Sequence, residues 1–200
     1  MYKHIINELR SHAPFTILGA ATGILIMLPC YSLPSETSYN VFYILHPMHV
    51  VLSALATTSI YRLHKHKPKF WSVLLIGFVG SIGIATLSDS VIPYLGELLV
   101  GLREGKIHLG FIEEWWLVNP AALLGIVIAC FWPRTKFPHS GHVLLSTWAS
   151  SFHIIMALGG TLSWVKLISL FPFLFLAVWV PCCLSDIIFP VLFIREKDWE

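Results

Sequence analysis

Leu87-Ser88-Asp89-Ser90-Val91-Ile92-Pro93 closes an apolar run that begins at Trp71, and Leu184-Ser185-Asp186-Ile187-Ile188-Phe189-Pro190 repeats the pattern late in the chain. A carboxylate inside a hydrocarbon-length segment costs free energy unless it is used. Two of them in the same local frame point to a duplicated site within a membrane. The composition agrees: 56% of the residues are hydrophobic, 12% are charged and the mean hydropathy is +0.74. A chain so poor in charge cannot clothe a soluble globule, and its apolar residues come in long blocks.

Six blocks approach or exceed the roughly 17 to 25 residues that carry a helix across a bilayer. They run over residues 13–31, 41–61, 71–94, 115–132, 143–164 and 167–194. Trp71, Trp115, Trp116, Trp132 and Trp164 fall at block ends, where an amphipathic indole suits the headgroup region. Trp148 and Trp179 lie inside blocks and are read as packing or lipid-facing rings. The expected fold is therefore all-α, a polytopic membrane protein with six transmembrane helices. Ten of the thirteen Lys and Arg residues (Lys3, Arg10, Arg62, Lys65, Lys67, Lys69, Arg134, Lys136, Arg195 and Lys197) fall on one side. Arg103, Lys106 and Lys166 fall on the other, so the positive-inside rule puts both termini in the cytoplasm. The first block is too long for a signal-peptide core and is taken as a span. The small net charge of +2 follows from topology and calls for no nucleic-acid partner.

The likeness between the halves extends beyond the aspartates. Glu8, Pro14 and Gly19 recur as Glu114, Pro120 and Gly125 at an offset of 106 residues; His49 recurs as His153 at 104; Asp89 and Pro93 recur as Asp186 and Pro190 at 97. The offset changes only across connecting loops, most where the basic loop Arg62–Lys69 has no counterpart. Residues 1–98 thus form one three-helix repeat, 99–112 an outer linker and 113–200 the second repeat. Three is odd, so the second copy enters the bilayer with opposite polarity, which gives an inverted 3+3 repeat of the kind common among secondary transporters. Under this topology Asp89 and His49 lie in the outer half, His153 and Asp186 in the inner half, and Glu114 and Glu8 at the two faces.

Pro93 and Pro190 each stand four residues after an aspartate and cannot donate the helical bond to its carbonyl. Each turn would then offer a carbonyl beside a carboxylate, as in the broken helices of transporters. Imidazole and carboxylate together suit borderline divalent cations such as zinc, iron, manganese, cobalt or nickel. The candidate metal residues are His49, Asp89, His153 and Asp186, with Glu8, His46, Ser53 and Glu114 as further members. His46 shares a helical face with His49, and Ser150 holds the equivalent place in the second copy. Gly19 and Gly125 would let helices approach closely. His4, His12, His64, His66, His139 and His142 are read as cytoplasmic-side residues. The four cysteines, Cys30, Cys130, Cys182 and Cys183, are read as small apolar packing residues.

Two functions fit these residues. The first is a transporter of a divalent metal cation, with proton coupling, in the plasma membrane. Its partners would be membrane lipids, the metal cation or proton, and a second copy of the chain if it forms a homo-oligomer. The alternative is an intramembrane zinc-dependent hydrolase acting on a lipid-like substrate, with Ser53 as an oxyanion donor. In its Ser, His and Asp set this alternative resembles the alkaline ceramidase and adiponectin-receptor group of seven-span zinc hydrolases. The chain departs from that group in having six spans, no His-x-x-x-His in the last span, and candidate ligands divided between its halves. Depth separates the two functions: one convergent point favours catalysis, and separate clusters along the membrane favour transport.

Overall fold

Apolar blocks this long can satisfy their backbone in lipid only as helices, and helices are what the chain forms. The computed structural model describes residues 2–102, 106–133, 136–158, 163–184 and 188–194, without the side chains of 2–9, 11–12, 136–139 and 183. Among these residues there is no strand. The elements are α1 (Tyr2–Cys30), α2 (Ser35–His64), α3 (Phe70–Thr86), a π-helical turn (Leu87–Val91), α4 (Ile92–Leu99), α5 (Gly110–Glu113), α6 (Trp115–Phe131), α7 (Lys136–Leu158), α8 (Trp164–Cys183) and α9 (Phe189–Val191).

Among the described residues five helical segments are long and apolar enough to cross a membrane: Ala13–Cys30, Ser35–His64, Phe70–Leu99, Ser140–Leu158 and Trp164–Cys182. The sixth expected span, α6, is apolar but has 17 residues, about 25 Å at the helical rise, against a hydrocarbon core of about 30 Å. α2 starts after Pro34 with Glu36 in its first turn and ends with Arg62 and His64 in its last, both suited to the helix dipole. The chain reverses at Lys67, whose φ of 49° is left-handed, and Pro68 follows it.

Burial sorts the helices. In α2 and α7 the apolar windows are 67% and 72% buried, against 28% in α1, so these two form the centre. α2 packs on α7, α6 and α3; α1 packs on α7 and α8; α6 packs on α2 and α3. One apolar cluster joins Ala20 and Met27 of α1, Phe42 of α2, Ile155 of α7 and Leu170 and Leu174 of α8. Another joins Val50, Ile82, Ala85, Val118 and Ala122 on α2, α3 and α6.

Glycines allow close approaches between the helices. A Cβ on Gly125 would lie 2.3 Å from the Val51 carbonyl oxygen of α2, and one on Gly19 would lie 2.7 Å from the Thr147 hydroxyl of α7. At the far end of α2 the Arg62 guanidinium donates to the carbonyls of Ala129 (2.8 Å) and Cys130, covering the C-terminus of α6.

The distribution of polarity is the reverse of a soluble protein's. Trp71, Trp115, Trp116, Trp132 and Trp164 are exposed, as are Leu25, Leu75, Phe131 and Ile168. Ser53, Thr57, Thr58, Ser59, Ser81, Ser146, Thr147, Ser150 and Ser151 are buried, together with His46, His49, Asp89, Glu97, His142 and His153. An apolar exterior around a polar interior is what a bilayer requires of a protein that keeps polar groups for use. Trp148 contributes as a packing ring whose Nε1–H donates to Thr22 (3.1 Å).

Candidate metal centre

The π-helical turn positions the acid. Pro93 has no N–H, and the Ile92 N–H reaches back to the Leu87 carbonyl, five residues away. That widened turn carries Asp89 into the interior, fully buried. π-turns inside α-helices cluster at functional sites. Leu184 and Ile188, the counterparts of Leu87 and Val91, are also π-helical.

Asp89 is the hub of a hydrogen-bonded core. His46 Nδ1 lies 2.8 Å and His49 Nδ1 2.7 Å from its Oδ2. Ser88 and Ser146 donate to its Oδ1 at 2.7 and 2.6 Å. A carboxylate offers about four lone-pair sites, and these four contacts use them. The Ser150 hydroxyl donates to the carbonyls of Ser88 (2.9 Å) and Ser146 (2.8 Å), tying α7 to the π-turn. Phe42 stacks on the His46 ring with centroids 5.1 Å apart.

Both imidazoles that donate from Nδ1 to Asp89 have Nε2 as the lone-pair nitrogen. The Nε2 of His49 is buried with no hydrogen-bond partner among the described residues. Its ring stacks on His142 of α7, centroids 5.6 Å apart. Among the described residues two sets of side chains hold ligand atoms within 4.8 Å of one another and could bind a metal ion: His46, His49 and Asp89, and His49, His142 and Cys182. All five residues are buried. In the first set an ion would displace hydrogen bonds already made. The second set is two imidazoles and one thiol, a borderline-to-soft donor set that suits zinc and its neighbours. With it, Asp89 would hold the tautomer and orientation of His49 from behind, as carboxylates do for metal-bound histidines.

The remaining expected residues are distributed as follows. His153, expected in the inner half of its span, has its Nδ1 2.8 Å from Glu97 Oε1 of α4, at the end of the bundle that also holds the start of α2 and α5. Its acid partner therefore comes from the other half of the chain. Glu114 accepts from Tyr39 (3.2 Å) at that same end. Ser53 is buried on α2 one turn beyond His49. Asp186 and the side chain of Glu8 lie outside the described residues. His142, expected on the cytoplasmic surface, is buried within α7, and Cys182, expected to pack only, lies in the second metal-capable set.

A signal for these residues was present. His142, Ser146, Ser150 and His153 follow one another at spacings of four, four and three, and His46, His49, Ser53 and Thr57 at three, four and four. Such spacing places each set on one helical face. Cys182 and Glu97 had no such periodic mark.

At the α5 end, His108 Nδ1 lies 2.9 Å from Glu113 Oε2, which also accepts from Tyr43 (2.8 Å). Partial burial works to raise the Glu113 pKa, but the hydrogen bonds from His108 and Tyr43 outweigh it and hold the carboxyl below its ordinary value.

The chain matches no family model, no curated protein and no solved structure.

Proposed function

We propose that this protein is a membrane transporter of a divalent transition-metal cation, with proton coupling. In this reading it is an inverted 3+3 helical repeat in the plasma membrane with both termini in the cytoplasm. The observation that carries the reading is the column of buried polar groups between α2, α3, α4 and α7. From the α5 end inward, it passes His153 with Glu97, then His46 with Asp89, then His49 with His142 and Cys182. Eleven residues of α7 separate His153 from His142, about 16 Å at the helical rise. Separate clusters spaced along the bundle suit a moving ion better than one reaction centre.

The repeat is supported by neighbour exchange: α1 meets α7 and α8 as α6 meets α2 and α3. π-helical residues occur at matching places in the two halves. The halves differ in register, since Asp89 meets His46 and His49 while the α8 residue grouped with His142 is Cys182. Two such unequal halves would hold the ion by different donors.

In the mechanism, the cation sheds water on entering the buried core and binds to His49, His142 and Cys182. Deprotonation of the thiol as metal binds releases a proton, which gives a route to coupling. Asp89 keeps both imidazoles oriented and supplies the compensating negative charge. Rocking of one half on the other, across the contacts at Gly19 and Gly125, would open the site to alternate faces.

A three-ligand set with a free coordination position is also what a catalytic zinc uses, so an intramembrane hydrolase is the second reading. It requires a substrate path, and His49, His142 and Asp89 are wholly buried. The deciding experiment is flux of zinc or manganese into proteoliposomes carrying an internal metal dye and a pH dye. Flux is expected for the native protein and a loss of at least about tenfold for His49→Ala. Native-rate flux in Asp89→Asn and His49→Ala together would overturn the transport reading.

A further inference from the structure

We propose that His46, His49 and Asp89 form a second position for the cation, which shares His49 with the His49, His142 and Cys182 position and is filled only when that one is empty. This second position presupposes that the core binds and moves a cation, as proposed above, and divides the movement into two steps. Both sets bring three ligand atoms within 4.8 Å of one another, and His49 is the member they have in common. Its ring has a nitrogen on each side. Nδ1 faces Asp89 Oδ2 at 2.7 Å, while the ring packs on His142 with centroids 5.6 Å apart and Nε2 has no hydrogen-bond partner among the described residues. A neutral imidazole carries one in-plane lone pair, on whichever nitrogen lacks the proton. His49 can therefore bind an ion through Nδ1 or through Nε2, but not through both. Two ions would also set two divalent charges an imidazole's width apart in a buried core, where their repulsion is poorly screened.

The set around Asp89 is built to exchange hydrogen bonds for an ion. His46 Nδ1 and His49 Nδ1 converge on one oxygen, Asp89 Oδ2, at 2.8 and 2.7 Å, and all three residues are buried. The other oxygen, Oδ1, is held by Ser88 and Ser146, so the carboxylate stays anchored when Oδ2 becomes a ligand. Two donors on a tetrahedral ion at about 2.1 Å stand about 3.4 Å apart, so the rings need to recede from Oδ2 by roughly 0.6 Å. Each ring then carries its proton on Nε2, and neither changes charge. As the ion passes from the sulfur-bearing position, its bonds to His49 Nε2, His142 and Cys182 Sγ break. Bonds to His46 Nδ1, His49 Nδ1 and Asp89 Oδ2 form, and Cys182 takes back the proton it gave up on binding. His46 stands one turn nearer the start of α2 than His49, and a Cβ on Gly110 of α5 would lie 2.9 Å from its Nε2. The carboxylate-bearing position is thus the one toward the α5 end. A thiolate is a softer donor that suits zinc and cobalt better than a carboxylate does, so the sulfur-bearing position fills first.

Cobalt(II) titration of the purified full-length protein in detergent tells the two positions apart, because only a thiolate ligand gives a sulfur-to-cobalt charge-transfer band. The native protein should bind one equivalent, with the band. Cys182→Ser should still bind one equivalent, without the band and at least about tenfold more weakly. His46→Gln, which keeps an amide donor for Asp89, should leave the band and the stoichiometry of the native protein unchanged. The two substitutions together should abolish binding, and thermal unfolding of each metal-free variant reports that it is folded. Nitrogen NMR of the zinc-loaded proteins should show His49 protonated at Nδ1 in the native chain and at Nε2 in Cys182→Ser. Two equivalents bound at once by the native protein would overturn the proposal. So would a folded Cys182→Ser protein whose binding is indifferent to His46→Gln, or whose zinc-loaded His49 keeps its proton on Nδ1. A band in the native protein with no binding in Cys182→Ser would overturn the shared ligand alone and leave the transport reading standing, whereas a native protein that binds no cobalt would overturn both.

Discussion

Asp89→Asn separates a residue that orients ligands from one that is a ligand. The substitution keeps the shape and removes the charge. The amide oxygen can occupy the Oδ2 place, accepting from His46 and His49, with the amide nitrogen turned toward Ser88 and Ser146, whose hydroxyls can rotate to accept. Two charge-assisted bonds, 2.8 and 2.7 Å long, become neutral ones, at a loss of about 1 kcal/mol each. Folding stability should therefore fall by about 2 kcal/mol, read by thermal or denaturant unfolding of the metal-free protein. The loss of a carboxylate behind a metal-bound histidine costs about 10- to 100-fold in affinity, or about 1.4 to 2.7 kcal/mol. Isothermal titration with zinc should show that weakening with the stoichiometry of the core site unchanged. Nitrogen NMR of the histidines should show His46 and His49 as Nδ1–H tautomers in the native protein and a mixture in the variant. Unchanged zinc affinity in a folded Asp89→Asn protein would refute the orienting role. A complete loss of the core equivalent, matching that of His49→Ala, would make Asp89 a direct ligand.

Other expectations test the packing, the surface and the linkage. Gly125→Ala puts a methyl group against the Val51 carbonyl and should cost about 1 to 3 kcal/mol or more by overpacking. Gly83→Ala, with nothing within 4 Å, should be neutral or stabilising by up to about 1 kcal/mol; equal melting temperatures for the two would refute the glycine contact. Glu113 has a lowered pKa, so its contribution is present above the ordinary glutamate pKa and is lost as pH falls through the lower folded value. The carboxyl side chain is 36% exposed, so screening should keep the effect below about 1 kcal/mol. A pH series of melting temperatures should show a smaller acid-side decline in Glu113→Gln. Zinc at 100 times its dissociation constant should stabilise the native protein by about 2.7 kcal/mol, and a Cys182→Ala protein should lose most of that gain; equal shifts would exclude Cys182 as a ligand.

The membrane class and helical architecture were legible because they depend on block length and on Trp placement. Residues such as Trp71 and Trp164 stand exposed at helix ends, as their amphipathic rings dictate. Asp89 was legible as a candidate because burying an acid in such a block is costly, and the structure buries it among four hydrogen-bond partners. The weaker readings concerned depth and partners. His153 was assigned a depth from its distance to an approximate block boundary, and its partners at the α5 end, Glu97 and His108, lie on other segments. Partners from different helices were out of reach for a further reason. The pairs His153–Glu97 and His49–Cys182 join residues 56 and 133 positions apart, and neither spacing follows from local geometry.

The polar stripes on α2 and α7 explain why these two helices lie at the centre. A helix that carries His46, His49, Ser53 and Thr57 on one face cannot offer that face to lipid, where unpaired polar groups cost several kcal/mol. The same holds for His142, Ser146, Ser150 and His153. The two stripes satisfy each other only in part: Ser146 reaches Asp89, Ser150 reaches the π-turn backbone, and the imidazoles take Asp89 and Glu97. Stability alone would be served as well by an apolar seam between α2 and α7. The sequence instead keeps buried carboxylates, five buried groups able to ligate a metal, and a His49 Nε2 with no hydrogen-bond partner among the described residues. Buried electron-pair donors of that kind are the physical ground for the proposal that the bundle binds a cation.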